Sequence, residues 1–149
     1  MRVLIQRVTE ASVEIEHQIK SSIGKGLLVF VGIESTDSLQ DAEKLAGKTA
    51  ALRIFDDERG IMNLSVTDID GEVLVVSQFT LCAETRKGNR PSYINAAGHE
   101  KAIPLYESFC KIMEQKTGKE VKTGVFAADM KVKLVNDGPV TIWIDSKVF

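Results

Sequence analysis

Two short stretches place polar, turn-forming residues inside runs that are otherwise apolar: Ser77-Gln78-Phe79-Thr80-Leu81 and Asn136-Asp137-Gly138-Pro139-Val140-Thr141. The chemistry open to the first is that of hydroxyls. A hydroxyl becomes a nucleophile only when a base takes its proton. Neither stretch supplies histidine or lysine, and Asp137 is the one carboxylate available to Thr80. By composition alone each stretch reads first as structure, strand-end hydroxyls in one and a Gly-Pro turn in the other.

Other reactive side chains are sparse. Cys82 and Cys110 lie far apart without CxxC spacing, so neither a disulfide scaffold nor a zinc site is indicated, and both read as unpaired thiols. His17 and His99 are isolated, lack metal-binding spacing, and read as surface histidines. No metal and no cofactor are expected. The net charge of −2 lacks the basic excess of a tight, sequence-independent nucleic-acid binder, so any RNA contact must be local. The densest basic run is Arg86-Lys87-Gly88-Asn89-Arg90-Pro91-Ser92, which fits a solvated loop as well as a phosphate contact; Lys131 and Lys133 alternate on a later strand.

A strand-rich chain must position these groups. Alternating apolar residues predict a strand pair over residues 2–9 and 12–16 with a break at Thr9-Glu10-Ala11, then a short extended stretch from Ile19 to Ile23. The continuous apolar run Leu27 to Ile33 predicts a strand buried on both faces. Asp37 with Gln40 has the form of a capping signal, followed by helical spacing of Leu39, Ala42, Leu45, Ala46, Thr49 and Leu52. Residues 56–60 and 68–71 form charged turns, residues 72–79 a strand, and residues 82–98 an irregular loop of a length that is often functional. Ala102, Leu105, Phe109, Ile112 and Met113 mark a helix ending near Gly118, with Pro104 in its first turn or kinking it. Strands follow at 121–125, 131–135 and 140–144, the last two joined by a hairpin or corner at Asn136-Asp137-Gly138-Pro139.

This order predicts an α/β fold, a curled, mainly mixed sheet of about seven strands forming a partial barrel with two principal helices. At 149 residues and 44% hydrophobic content, one domain spanning 1–149 with a sizeable core is expected. No run approaches the roughly 18 apolar residues of a membrane helix, and Met1-Arg2 leads straight into Val3-Leu4-Ile5 without a signal-peptide pattern. A cytoplasmic protein without a membrane partner is expected.

In their order and spacing the two polar stretches resemble the SQFTL and NxGPVT signatures of the D-aminoacyl-tRNA deacylase family, and both are complete. Residues 2–8, Gly26-Leu27-Leu28-Val29, Leu52-Arg53-Ile54-Phe55, Met62-Asn63-Leu64-Ser65 and Ala128-Asp129-Met130 also resemble that family, so the likeness covers essentially the whole chain. The resemblance implies a homodimeric hydrolase of the ester between a D-amino acid and the 3′-terminal adenosine of tRNA. It implies a cis Gly138-Pro139 bond, the minority state of X-Pro, in a loop with Asn136 that reaches into the partner's active site. There its carbonyls would face the substrate Cα. Such a backbone wall clashes with any L-substituent while D-residues point away, so handedness is read without side-chain identity. Glycine would also pass, making glycyl-tRNA a second substrate. Arg7 would brace the loop through its carbonyls, against the plainer reading of a surface arginine.

The resemblance further implies that Ser77, Gln78, Phe79 and Thr80 form the catalytic segment, with main-chain groups of Gln78 and Phe79 as donors to a tetrahedral oxyanion. Thr80 is favoured as a positioning group, with water attacking and the ribose 2′-hydroxyl assisting; a nucleophilic Thr80 is the alternative. Phe126 and Met130, in a GxFxADM-like stretch, would wall the adenosine pocket, with core packing as the rival reading; Ala127 stands where glycine is frequent. Arg86, Lys87 and Arg90 lie in a stretch resembling TRKGxRPSF, with Tyr93 for the usual phenylalanine, and would contact tRNA phosphates in a salt-sensitive way. Cys82 stands where tyrosine is common and carries no expected role. The competing functions are a relative that edits L-alanine from mismatched tRNA through a trans Gly-Pro loop, a nucleic-acid-binding or interaction module without the reaction, and a domain whose signatures only pack.

Overall fold

In the computed structural model, which describes residues 1–148, β1 (Arg2–Ile15) is the strand around which the others assemble. One of its edges is shared. Residues 2–8 pair antiparallel with β3 (Gly26–Gly32), and residues 11–15 with β2 (Gln18–Ile23). Along the opposite edge β8 (Lys131–Asp145) runs antiparallel from Arg2 facing Asp145 to Glu14 facing Lys131. Beyond β3 come β6 (Glu72–Ser77) and the short β7 (Lys122–Thr123), both added in parallel, which makes the sheet mixed. It curls because β7 returns toward β2, where the Ser21 hydroxyl donates to the Thr123 carbonyl at 2.6 Å.

The predicted break at Thr9-Glu10 and the predicted hairpin or corner at Asn136 to Pro139 are both replaced by continuous strand. The ladder between β1 and β8 absorbs them as register shifts between Gln6 and Val8 and between Val8 and Glu10. Bulges of this kind bend a strand without ending it. Proline is tolerated there because residues 137–140 have no partner in the register with β1, so an absent N–H breaks no ladder bond.

β3 buries both faces, as its apolar run predicts, and so does β6. Leu27, Val29, Val31, Val73 and Val75 pack beneath α1 (Leu39–Ala51) and α2 (His99–Thr117), against Leu45, Phe109 and Met113. Leu28, Leu74 and Val76 turn into the curl of the sheet beside Val8, Val13 and Ile23. These two strands therefore sit between two cores.

Helix α1 is capped one residue later than the sequence suggests: the N–H and hydroxyl of Ser38 donate to the Asp41 carboxylate at 2.8 and 3.0 Å. Asp37 is buried instead, accepting from the Met1 ammonium and from the Glu34 N–H. Helix α2 starts at His99 and stops at Gly118, whose φ of 71° ends it, so Pro104 falls in the second turn. The charged turn at 56–60 is the tip of a hairpin between β4 (Phe55–Asp56) and β5 (Met62–Leu64), with the Asp57 carboxylate accepting from the Arg59 and Ile61 N–H groups. Strand β7 is shorter than the predicted 121–125.

Candidate functional site

Strand β6 ends at Ser77, and the chain then tightens into a 3-10 turn, Phe79–Cys82, in place of the predicted continuation of the strand to residue 79. The turn packs on the end of β3 at Gly32. A Cβ at that position would lie 2.9 Å from the Leu81 Cβ and 3.0 Å from the Gln78 carbonyl oxygen, so only glycine allows the approach. Two bonds fasten the segment. The Gln78 N–H donates to the Val31 carbonyl at 2.8 Å, and Arg2 Nη1 donates to the Leu81 carbonyl at 2.9 Å. Arg2 is itself held by Asp145 and Glu34, at 3.0 and 3.1 Å.

Beside this turn lies a cavity of about 480 Å³, lined by Ser77, Gln78 and Phe79 on one side and by His99, Phe126 and Met130 among others on the rest. Phe126 meets His99 and Tyr106 edge-on, with ring centroids 5.4 and 5.9 Å apart. The Tyr106 hydroxyl donates to the Val75 carbonyl at 2.8 Å, which anchors the cluster to the sheet. Phe126 also packs on the helix-side core, and Met130 on the core inside the curl. Cavity wall and core packing, set against each other in the sequence, are thus two faces of the same side chains. Between them Ala127 has a φ of 63°, a left-handed conformation that favours glycine.

The chemistry available is narrower than the residue types suggest. Of the two main-chain donors expected for an oxyanion, Gln78 is corrected: its N–H is already spent on Val31, leaving Phe79 at the start of the turn. Thr80 is exposed, does not line the cavity, and its hydroxyl accepts from the Gln78 side-chain amide. No base bonds to it among the described residues. Burial pushes the neighbouring Cys82 thiol up to about 11, with Glu34 adding to the effect, so it stays protonated near neutrality.

The second stretch lies elsewhere. Arg7 is 7% exposed, not a surface arginine; its Nε donates to the Asp137 carbonyl at 3.0 Å and its Nη1 to the Ile54 carbonyl at 2.7 Å. The Asp137 carboxylate, the one candidate base for Thr80, is 3.4 Å from Arg7 Nε. Gly138 has a φ of 125°, a Cβ there would stand 3.2 Å from Arg7 Nη2, and the Gly138-Pro139 bond is cis. Asn136, Gly138 and Pro139 are exposed and none lines the cavity. Arg7 faces Leu27 whereas Ser77 faces Val31, so the two stretches are separated by four residues along β3, about 13 Å.

A family model described as D-Tyr-tRNA(Tyr) deacylase matches residues 4–145. The chain belongs to this family. It is 64% identical over 146 residues to a D-aminoacyl-tRNA deacylase of Porphyromonas gingivalis, a match covering 98% of this chain and 97% of the relative. A protein of the same name from Bacteroides thetaiotaomicron is 60% identical over 147 residues, covering 99% and 98%. Among solved structures, one called c-Myc DNA Unwinding Element Binding Protein superposes with a TM-score of 0.91 at 39% identity, covering 97% of this chain and 98% of that one. A probable eukaryotic D-amino acid tRNA deacylase shares the fold, with a TM-score of 0.83 at 16% identity over 96% and 97%.

In this deacylase-family chain the basic residues Arg86, Lys87 and Arg90 stay outside the cavity, exposed on a loop closed by paired hydrogen bonds between Glu84 and Ser92. His99, read from the sequence as a surface histidine, is exposed but also lines the cavity, and Asp129 lines it without having been assigned a role. His99 gave no usable signal, because a histidine at a helix start looks the same whether it faces solvent or a cleft. Asp129 lay inside the quoted Ala128-Asp129-Met130 stretch, where only Met130 was assigned a role. No described helix is long and apolar enough to cross a membrane.

Proposed function

We propose that the chain hydrolyses the ester joining a D-amino acid, or glycine, to the 3′-terminal adenosine of tRNA, as a cytoplasmic homodimer that proofreads aminoacylation. The observation that carries this reading is the placement of the cis Gly138-Pro139 segment. It is exposed, braced by a buried arginine, and about 13 Å along the sheet from the cavity of its own chain. A backbone wall in that position serves a cavity only if the cavity belongs to a second copy.

Strand β8 supports the dimer. Its 15 residues leave one edge without a partner among the described residues, and Trp143 is 51% exposed on it. Long unprotected edges invite pairing, and a twofold interface would place each Gly-Pro segment over the other protomer's cavity.

In the proposed reaction Phe126 and Met130 hold the terminal adenosine, and the Gly138 and Pro139 carbonyls exclude any L-substituent at Cα. Water adds to the ester carbonyl carbon, and the Phe79 N–H stabilises the oxyanion. As the bond to the ribose 3′ oxygen breaks, the proton from water reaches that oxygen through the neighbouring 2′-hydroxyl. Free D-amino acid and tRNA with a 3′-hydroxyl leave. Thr80, held by Gln78, orients the water. Arg86, Lys87 and Arg90 contact phosphates near the 3′ end.

The test is to incubate the protein with D-tyrosyl-, L-tyrosyl-, glycyl- and mismatched L-alanyl-tRNA and follow each ester. Loss of the D- and glycyl-esters with L-tyrosyl-tRNA intact is expected. Loss of the L-alanyl ester would favour the L-alanine editor, and retention of all four would favour a binding module, the sense of the name carried by the 39% identical structure.

A further inference from the structure

Phe79 lines the cavity yet leaves 56% of its surface exposed, and its ring meets Tyr93 edge-on with centroids 4.9 Å apart. Tyr93 is 38% exposed and does not line the cavity, and exposed Ile94 continues the patch. This patch is built on fixed backbone. The Ser35 N–H donates to the Asn95 carbonyl and the Ala97 N–H to the Ile33 carbonyl, both at 2.9 Å, while Glu84 and Ser92 close the loop on the other side. Exposed aromatic rings held rigidly at a cavity mouth lose apolar contact with nothing in return unless something flat covers them.

We propose that Phe79 and Tyr93 form a stacking platform for the base that precedes the terminal adenosine; this rests on the deacylase reading above. The platform is continuous with the cavity because Phe79 belongs to both, so a strand whose last nucleoside sits between Phe126 and Met130 leaves over it. Lys87 and Arg90, on the loop that carries Tyr93, have no ion-pair partner among the described residues and are placed to meet the phosphates; Arg86 is 3.5 Å from Glu84. Aromatic faces flanked by cations are the combination by which single strands are held without regard to sequence, since every base has a face to stack. The Phe79 residue thus acts twice, its N–H toward the ester and its ring toward the preceding base.

The experiment compares the D-tyrosyl ester of adenosine with the D-tyrosyl ester of the trinucleotide CCA, in wild type, Tyr93→Ala and Tyr93→Phe, alongside binding of a fluorescent, unacylated CCA-ended RNA hairpin. Tyr93→Ala is expected to raise the ratio of trinucleotide to mononucleoside KM roughly tenfold, weaken hairpin binding similarly, and leave Tyr93→Phe near wild type. An unchanged ratio with unchanged hairpin binding overturns the platform. So does a variant that falls to monomers in sedimentation without a selective change in KM, which would make the patch a contact between copies. If wild type hydrolyses neither ester, the deacylase reading fails by itself, and hairpin binding still decides the platform.

Discussion

The segments 77–82 and 136–141 interrupt strands in the same way in the sequence and come to opposite ends in the structure. The first leaves its strand, tightens into a 3-10 turn and borders a cavity of its own chain. The second bulges from the ladder between Asn136 and Thr141, which pair with Val8 and Gln6, is braced from beneath by Arg7, and does not line that cavity. Under the proposed function the first would serve the chemistry and the second would be presented to a partner. A polar interruption in an apolar run therefore says that something is exposed, and only the surrounding strands say to whom.

The contrast breaks most visibly at Arg7. Arg7→Met leaves the Asp137 and Ile54 carbonyls without their donor, at about 1–3 kcal/mol each. Urea unfolding should show a stability loss of roughly 2–6 kcal/mol, and the variant should begin to hydrolyse L-tyrosyl-tRNA. Wild-type stability would mean that the brace is incidental. Next comes Gly138→Ala, which forces a side chain into a φ of 125° and against Val140. Displacement of the wall should slow D-tyrosyl-tRNA hydrolysis on the order of a hundredfold in single-turnover assays, and an unimpaired rate would reduce the segment to a part of β8.

On the catalytic side, Thr80→Ala should keep its rate within about tenfold of wild type, the modest loss expected of a positioning group rather than of a nucleophile. A tRNA ending in 2′-deoxyadenosine should be slowed more than that. A trapped acyl-threonine adduct would instead make Thr80 the nucleophile. The smallest effect is expected at Ala127→Gly. Relief of a left-handed alanine is worth roughly 1 kcal/mol, against about 0.4–1 kcal/mol of added freedom in the unfolded chain. Thermal melting should move by a degree or two at most, and a large loss would show that the alanine methyl supports the pocket.

Much of the scaffold is legible from local pattern. The run from Leu27 to Ile33 gives a doubly buried strand, the apolar spacing after Leu39 gives α1, and Gly118 gives the end of α2. The continuity of β1 and β8 is not legible, because Thr9-Glu10 and Asn136 to Pro139 carry turn chemistry that only pairing between distant residues overrides. The capping residue moved from Asp37 to Ser38 for a similar reason: Asp37 is claimed by the Met1 ammonium, which no local window contains. Within the site, Ser77, Gln78, Phe79, Phe126 and Met130 do meet in one cavity, and His99, which meets Phe126 edge-on, lines it too.

The sequence alone determined the periodicities, the positions of the breaks and the two signatures, since each depends on neighbours within a few residues. The tertiary structure decided which atoms remain free. Gln78 lost its N–H to Val31 and Arg7 gave its guanidinium to Asp137 because each polar group has a fixed number of bonds to make, and partners remote in the chain reach them only when the sheet closes.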